Sequence, residues 1–437
     1  MKSSSLLLRN IIFLVLLAVL IVPVVQNNLN LADVNPLQGA IIKTPDTSFS
    51  FRSWFRGDFQ SQKEKYLNEE FGLRNIFYRA NNQLEFNLFN KANAKGVVIG
   101  KDNYLYEERY INAACALDTI GLDSISLRMR KFKYLQDTLA KLNKTLILVF
   151  AAGKGSFYPE YFPDNYKRLN APTNYETYTA VAKKLGANYI DFNSYFIKNK
   201  DKSKFPLFPK YGIHWSYYGE CLVADSLIKY IETLRKIALP QFYWNKIDTA
   251  YAKYRDADIE DGMNLLFDLK KTTKMGYPQI QLQSDSGKAK PSLLVIADSY
   301  YWGMYNFGIS QAFSSSHFWF YNNEIYPEFY TNGLTTSQVN VKDEIAKTDI
   351  IIIMATEASL PDLGWGFIEN TYNVFKGISS GDPLHNREYM AKVKSLIDYI
   401  KSDPAWLKQV KKSAEDGHIT LDSALKANAM WVIDHPN

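Results

Sequence analysis

Three uninterrupted apolar runs constrain the fold of this chain more than any other feature. They are Leu146–Phe150, Leu293–Ala297 and Ile350–Met354, and most of their residues are aliphatic. Strands that are buried on both faces need such runs, and they occur in parallel sheets that helices cover on both sides. The runs therefore predict the central strands of a parallel sheet.

Segments with the periodicity of amphipathic helices lie between these runs. The clearest are 127–142, 175–185 and 216–235, and a further short strand is predicted at 188–192. This alternation predicts a three-layer α/β fold, in which a doubly wound, flavodoxin-like parallel sheet has helices on both faces. In such folds the functional site lies beyond the carboxyl ends of the strands.

The N-terminus has the pattern of a signal anchor. Lys2 and Arg9 precede an apolar run from Ile11 to Val25, and the next basic residue is Lys43. This charge bias keeps the N-terminus in the cytoplasm and exports the rest of the chain. A cleaved signal peptide is the alternative, but no small-residue cleavage site comes after the run. We therefore expect a single-pass membrane protein whose main domain lies outside the cytoplasm.

Composition divides the chain into four segments. We expect a transmembrane segment at 1–30, a linker with an N-terminal helical segment at 31–95, and a C-terminal helical segment at 376–437. The α/β domain occupies 96–375, and an aromatic and charged insertion interrupts it around 239–291.

Charge and cysteine content exclude several classes of function. The net charge of +6 is spread along the chain, and it forms neither a basic stripe nor a nucleic-acid-binding module. Cys115 and Cys221 are 106 positions apart, and they form either one disulfide or two buried thiols. Two cysteines alone cannot hold a metal, and we expect neither a metal nor another cofactor.

A serine follows the second apolar run directly. Ser299 comes after Leu293–Ala297 and Asp298, at the predicted carboxyl end of a central strand. Enzymes with α/β folds present nucleophiles at this position, where the turn exposes the hydroxyl group. Capping of the next helix by Asp298 or Ser299 is the alternative explanation.

His214 is the candidate general base for this serine. It is one of five histidines, and it precedes Trp215 at the start of the predicted helix 216–235. The ordinary pKa of histidine suits proton transfer near neutrality, although a lone histidine is more often structural. Ser299 and His214 in one sheet domain predict nucleophilic catalysis.

Short motifs in this order resemble the SGNH-hydrolase-like alginate O-acetyltransferase family. Val97–Tyr106 is similar to the family's glycine-containing hairpin, and Phe150–Lys154 followed by Tyr158–Glu160 is similar to its strand, lysine and Y-P-E turn. Gly212–Trp215 is similar to its D-x-H-W motif, and Ala297–Tyr300 to its nucleophile turn. The resemblance implies a permuted SGNH fold, in which the histidine precedes the serine.

One position departs from the family pattern. Family members have an aspartate two residues before the histidine, where it orients the imidazole, and this chain has Gly212 there. A backbone carbonyl could substitute, and so could three acidic side chains, namely Asp298, Asp225 and Glu357.

The resemblance implies an O-acyltransferase, with acetyl as the favoured group, that modifies an exported or cell-surface polysaccharide. Ser299 would accept the acyl group and His214 would transfer protons, with Asp298 as the tentative orienting acid. Lys154 would neutralise an anionic glycan or position the acyl donor, and Tyr158 and Tyr300 would stack on sugar rings. Packing is the alternative role for both tyrosines.

The resemblance also implies a partner. A domain outside the cytoplasm cannot use cytosolic acetyl-CoA, so a multi-pass membrane O-acyltransferase is expected to supply acyl groups. Two alternatives remain at this point: a carbohydrate esterase that uses water as acceptor, and a glycan-binding scaffold without turnover, which Gly212 would explain.

Overall fold

The computed structural model describes residues 2–38, 44–283, 287–331, 333–378 and 383–416, together with 421, 424, 425, 428, 429 and 432. Parts of the predicted linker, insertion and C-terminal segment therefore lie outside the described residues. The chain forms two compact units, Met1–Phe367 and Ile368–Asn437.

The first unit contains all the strands of the described residues. In chain order they are β1 (Val97–Ile99), β2 (Leu105–Glu107), β3 (Thr145–Ala151), β4 (Tyr189–Asp191), β5 (Gln241–Tyr243), β6 (Ile247–Tyr251), β7 (Lys274–Pro278), β8 (Gln281–Gln283), β9 (Leu293–Ala297), β10 (Ser316–Phe320), β11 (Glu324–Tyr326) and β12 (Ile350–Thr356).

Its helices occur before and between these strands. They are α1 (Lys2–Leu29), α2 (Phe51–Arg56), α3 (Asp58–Glu70), α4 (Arg74–Phe89), α5 (Glu108–Ala114), α6 (Leu122–Lys141), α7 (Lys154–Phe157), α8 (Asn174–Leu185), α9 (Phe192–Asn199), α10 (Tyr217–Arg235), α11 (Asp258–Met263), α12 (Tyr301–Asn306) and α13 (Val341–Ala346).

A six-stranded sheet forms the centre of the first unit. Its order is β11-β10-β9-β12-β3-β4, and every neighbouring pair is parallel except β10 and β11. The register places Ala297 opposite Met354 and Met354 opposite Val149, so β9, β12 and β3 end close together. The predicted parallel α/β sheet is confirmed, and its carboxyl edge gathers the ends of its central strands.

Helices cover both faces of this sheet. Ile147, Val295 and Ile352 point to one face, where they share a core with apolar residues of α9 and α10. Successive side chains of a strand point to opposite faces. The other face therefore carries buried residues such as Leu148 and Ile296, and α6 packs against β3. This is the three-layer arrangement expected from the sequence.

Two strands of the sheet were not predicted. β10 begins with Ser316 and His317, and only Phe318 and Trp319 in it are buried. β11 is three residues long and pairs with β10 alone. Neither segment is a long apolar run, because a short strand near the edge of a sheet needs less apolar surface than a central one.

The predicted hairpin at 97–106 is confirmed. β1 and β2 pair antiparallel, with Val97 opposite Glu107 and Ile99 opposite Leu105. Leu105 and Tyr106 are fully buried, so this hairpin is anchored in the core.

The N-terminal apolar run lies in one long helix. Within α1, Leu6–Leu29 is long and apolar enough to cross a membrane, and Pro23 lies inside it. At 1.5 Å per residue these 24 residues would span about 36 Å, more than the roughly 30 Å of a hydrocarbon core. Signal sequences share this length and composition.

The segment predicted as an insertion, 239–291, contains two small antiparallel pairs. β5 pairs with β8, and β6 pairs with β7. A short 3-10 turn, Tyr254–Ala257, and helix α11 connect β6 to the return strands. This connection contributes side chains to the carboxyl edge of the central sheet.

The second unit contains helices α14 (Phe367–Lys376, which begins at the end of the first unit), α15 (Pro383–Ser402) and α16 (Pro404–Asp416). Its core includes Val393, Ile400, Val410 and Leu425. Both cysteines lie in the first unit as buried free thiols, the second of the two states considered from the sequence.

Candidate active site

Ser299 lies immediately beyond the carboxyl end of β9. The preceding carboxylate fixes this turn, because Asp298 accepts hydrogen bonds from the backbone N–H groups of Tyr300 (3.1 Å) and Thr356 (2.8 Å) and from the Thr356 hydroxyl. The turn is therefore tied to the end of β12, and it presents Ser299, which is partly exposed.

His214 lies opposite this serine. Its Nε2 atom is 2.9 Å from Ser299 Oγ, and the residue is only 7% exposed. The phenol of Tyr300 packs against the imidazole, with ring centroids 4.7 Å apart, and its hydroxyl donates to the carbonyl oxygen of Ile213 (2.5 Å). The structure thus brings together the two residues that the sequence paired.

The carboxylate that contacts the other imidazole nitrogen belongs to Asp258. One oxygen of Asp258 contacts His214 Nδ1, and the other accepts from the Ile213 backbone N–H at 2.8 Å. Burial acts to raise the pKa of Asp258, but His214, the Ile213 N–H and Arg255 together hold this pKa below its ordinary value. Asp258, His214 and Ser299 form a continuous hydrogen-bonded chain, the arrangement of a catalytic triad.

Gly212 is the residue that makes room for this arrangement. A Cβ atom added to Gly212 would lie 2.7 Å from the carbonyl oxygen of Arg255 and 2.9 Å from the carbonyl carbon of Asp256. Backbone therefore occupies the space into which a side chain at position 212 would extend. The same short segment carries Asp258, so a carboxylate from another part of the chain lies beside His214 although position 212 has no side chain.

Arg255 adds a positive charge beside the reacting atoms. Its Nη2 atom contacts His214 Nε2, the nitrogen that also faces Ser299. A guanidinium can only donate and a carboxylate can only accept, so Arg255 and Asp258 together favour the tautomer of neutral His214 whose proton lies on Nδ1, facing Asp258. This is the tautomer in which histidine can act as a general base.

Lys154 occupies a different position from the one expected. It is fully buried, and its Nζ donates to the carbonyl oxygens of Leu105 (2.6 Å), Lys210 (2.9 Å) and Gly212 (2.6 Å). An ammonium group has three donors, so none is left for an anionic glycan. Lys154 instead joins hairpin β1–β2 to the loop that carries His214.

Tyr300 also takes a packing position. It is 0% exposed, and its hydroxyl is bonded to Ile213, so its ring supports His214 and cannot stack on a sugar. Tyr158 is half-buried in an aromatic cluster with Tyr104, at a ring distance of 5.0 Å, and its role in glycan binding stays a prediction.

The three acids considered as substitutes make other contacts. Asp298 holds the serine turn, Asp225 forms an ion pair with Lys229, and Glu357 accepts from Ser156 and Asn193. The carboxylate that contacts His214 therefore belongs to none of them but to Asp258, which was not among the residues predicted from the sequence. Asp258 lies in the predicted insertion, 44 residues beyond His214, and no local motif marks it.

The described residues contain no group of three or more His, Cys, Asp and Glu side chains arranged to hold a metal ion. The chemistry that this site can carry out is proton transfer and nucleophilic attack by a hydroxyl group.

Replacement of Lys154 by Met should destabilise the first unit by about 3 kcal/mol, because it leaves buried carbonyl oxygens without donors. Urea unfolding of the purified chain, followed by tryptophan fluorescence, measures this difference. The control is Lys141→Met on the exposed end of α6, for which we expect a change within about 0.5 kcal/mol. Equal effects of both substitutions would contradict the assigned role of Lys154.

Gly212→Asp introduces the aspartate of the D-x-H-W motif, yet we expect it to lower the rate of p-nitrophenyl acetate hydrolysis at least about a hundredfold. The new side chain must displace the backbone of Arg255 and Asp256, and with it Asp258. The control is Gly262→Asp in α11, where an added Cβ would meet nothing within 4 Å. Hydrolysis of p-nitrophenyl acetate at saturating substrate measures the effect, and equal or higher activity of Gly212→Asp would show that our explanation is wrong.

Known proteins are similar in sequence to part of this chain. Residues 97–250 match the family described as the SGNH hydrolase-like domain of acetyltransferase AlgX. This stretch contains Lys154 and His214, and it ends before Asp258 and Ser299.

Individual relatives are similar over a comparable length. "Probable alginate O-acetylase AlgJ" of Pseudomonas syringae pv. tomato is 25% identical over 171 residues, which are 39% of this chain and 42% of the relative. The protein of the same name from Azotobacter vinelandii is 23% identical over the same shares. The chain thus spans about two-fifths of the length of the curated relatives it matches.

Among solved structures, the O-acetyltransferase domain of Pseudomonas putida AlgJ is similar to this chain. It has 17% sequence identity and a TM-score of 0.44, over 64% of this chain and 99% of that domain. The resemblance inferred from the motifs is confirmed by the family match, because residues 97–250 are similar to the SGNH hydrolase-like domain described for acetyltransferase AlgX.

Proposed function

We propose that this protein is an SGNH-type O-acyltransferase that transfers acetyl groups to hydroxyl groups of an exported or cell-surface polysaccharide. The observation that carries this proposal is the hydrogen-bonded chain from Asp258 through His214 to Ser299. The names of the relatives, which describe alginate O-acetylation, support the choice of acyl group and acceptor class.

The geometry gives each residue a step in the reaction. His214 Nε2 takes the proton from Ser299 Oγ as this oxygen attacks the carbonyl carbon of the acyl donor. Asp258 keeps the imidazole proton on Nδ1 and stabilises the imidazolium that forms. Collapse of the tetrahedral intermediate expels the leaving group, which receives the proton from His214, and leaves acetyl-Ser299. An acceptor hydroxyl then attacks this ester, and the same residues act in reverse.

We propose further that α1 anchors the protein in a bacterial inner membrane, with the catalytic unit in the periplasm. Lys2 and Arg9 before the apolar stretch favour this orientation, and Leu6–Leu29 is long enough to span. A periplasmic enzyme has no access to acetyl-CoA. A multi-pass membrane O-acyltransferase therefore supplies the acyl group in this proposal.

The scaffold alternative rested on the absence of an acid at Gly212. The position of Asp258 against His214 removes that reason and favours an enzyme. A carbohydrate esterase would use the same triad with water as acceptor, so the acceptor decides between the two enzymes.

Ser299→Ala and His214→Ala should each lower p-nitrophenyl acetate hydrolysis by about a thousandfold or more, because each removes a group that makes or breaks bonds. Asp258→Asn should lower it by about a hundred- to ten-thousandfold, since it disturbs the tautomer of His214. The matched control is Asp261→Asn, because Asp261 lies on the same helix as Asp258. This substitution removes an ion pair with Lys270 and should leave the rate within twofold. Equal rates for the wild type and all variants would refute enzymatic function.

The transferase is distinguished from the esterase by its products. The full-length chain in detergent, with p-nitrophenyl acetate as donor, is offered cellotetraose, chitotetraose, tetramannuronate or oligosaccharides released from the surface of the producing cells. We expect at least one to accelerate p-nitrophenol release and to appear acetylated by mass spectrometry. Ser299-dependent hydrolysis without acetylation of any of these oligosaccharides would assign the protein to the esterases.

A further inference from the structure

A small cavity lies beside Asp258, His214 and Ser299, and none of the residues assigned a step in the proposed reaction lines it. Its volume is about 260 Å³. Arg255, which contacts His214, lies on one side, and Gly303 of α12, four residues after Ser299, lies on another. We call it the Tyr254 cavity, and its lining includes Tyr217, Glu220, Tyr254, Arg255, Asn306 and Phe307.

The rim of the cavity carries an exposed aromatic ring. Tyr254 is 68% exposed and has a φ of +56°, in the left-handed region that a bulky side chain rarely adopts. Such backbone strain persists where the surroundings enforce it, and it clusters at functional sites. The ring of Tyr217 lies 6.0 Å from that of Tyr254 and adds a second aromatic surface. Rings of this kind pack against the C–H faces of sugars.

The floor of the cavity carries a buried acid. Glu220 is 3% exposed, and an added Cβ at Gly303 would lie about 2.0 Å from both of its carboxyl oxygens, so only glycine admits this carboxyl group. Burial raises the pKa of Glu220 well above its ordinary value, although Arg255 and the nearby Trp215 indole oppose the shift.

Polar atoms of this cavity have bonding capacity left. Glu220 Oε1 and Arg255 Nε are buried and have no hydrogen-bond partner of ordinary geometry in the described structure, and the same holds for the indole N–H of Trp215, which lies close to the Glu220 carboxyl group. Buried polar groups in proteins are nearly always satisfied, by protein, water or ligand. A ligand that combines an apolar face for Tyr254 with hydroxyl groups for the polar side chains of Arg255 and Asn306 matches the lining of this cavity.

We propose that the Tyr254 cavity binds one hexopyranose ring of the acceptor glycan and presents a hydroxyl of that ring, or of its neighbour, to acetyl-Ser299. This inference rests on the proposed acyl transfer. The volume is below the roughly 300–1,000 Å³ of sites for drug-sized ligands, which suits a single ring with the rest of the glycan outside.

The position of the cavity fits the second half of the reaction. The acceptor oxygen attacks the carbonyl carbon of acetyl-Ser299, and its proton passes to His214 Nε2. The bond between that carbon and Ser299 Oγ then breaks, and the proton returns to Oγ. A ring held against Arg255 approaches from the side of His214, where this proton has to go.

The test compares Tyr254→Ala with Tyr254→Phe and with the control Tyr251→Ala. Tyr251 is exposed on β6, three residues earlier, and lies outside the lining of the cavity. The full-length chain in detergent receives p-nitrophenyl acetate and whichever of the four oligosaccharide acceptors is acetylated best. The measured quantity is the ratio of acetylated oligosaccharide to free acetate, together with the KM for the acceptor.

We expect Tyr254→Ala to lower this ratio and to raise the acceptor KM, each by about tenfold, whereas Tyr254→Phe retains the aromatic face and stays within threefold of the wild type. Tyr251→Ala should match the wild type. If Tyr254→Ala also matches it while the wild type transfers normally, the cavity holds only water and the inference is overturned. If the wild type acetylates no acceptor, the proposed transferase function fails and the inference fails with it.

Discussion

The close approach of one backbone segment to Gly212 is the constraint on which the rest of the site depends. Because no side chain projects from position 212, the carbonyl groups of Arg255 and Asp256 pack directly against the loop that holds His214. In this packing Asp258, at the start of α11, contacts the imidazole. The Asp258 carboxylate and the nearby guanidinium of Arg255 thus enter the site together, on the connection between the paired strands β6 and β7.

Buried polar contacts fix the positions of the loop that carries His214 and of the turn that carries Ser299. Lys154 binds three carbonyl oxygens beneath the histidine loop, while Asp298 fixes the serine turn to β12. Burial lowers the pKa of Lys154 to about 7, yet the three carbonyl acceptors favour its charged form. Groups of this kind position reacting atoms without touching the substrate. Their placement at the carboxyl edge follows from the parallel sheet, whose central strands end close together.

The fold was largely predictable because its central strands are buried on both faces. Apolar runs and helical periodicity identified β3, β9, β12 and the helices between them, whereas β10, near the edge, has too few buried residues to be recognised. Ser299 and His214 were predictable because each adjoins a regular element. Asp258 was not, since its role depends on a contact between residues 44 positions apart, and Lys154 and Tyr300 were misjudged because sequence does not report burial.

The route by which Asp258 reaches the histidine bears on how members of this fold are classified. A survey that requires the aspartate of the D-x-H-W motif would place this chain among inactive homologues, although a carboxylate occupies the required side of the imidazole. A glycine at that position is then informative in itself, because it marks where another segment of backbone enters. Homologues without the motif aspartate should therefore be sorted by the group that fills the space beside the histidine, and only an empty space argues for lost catalysis.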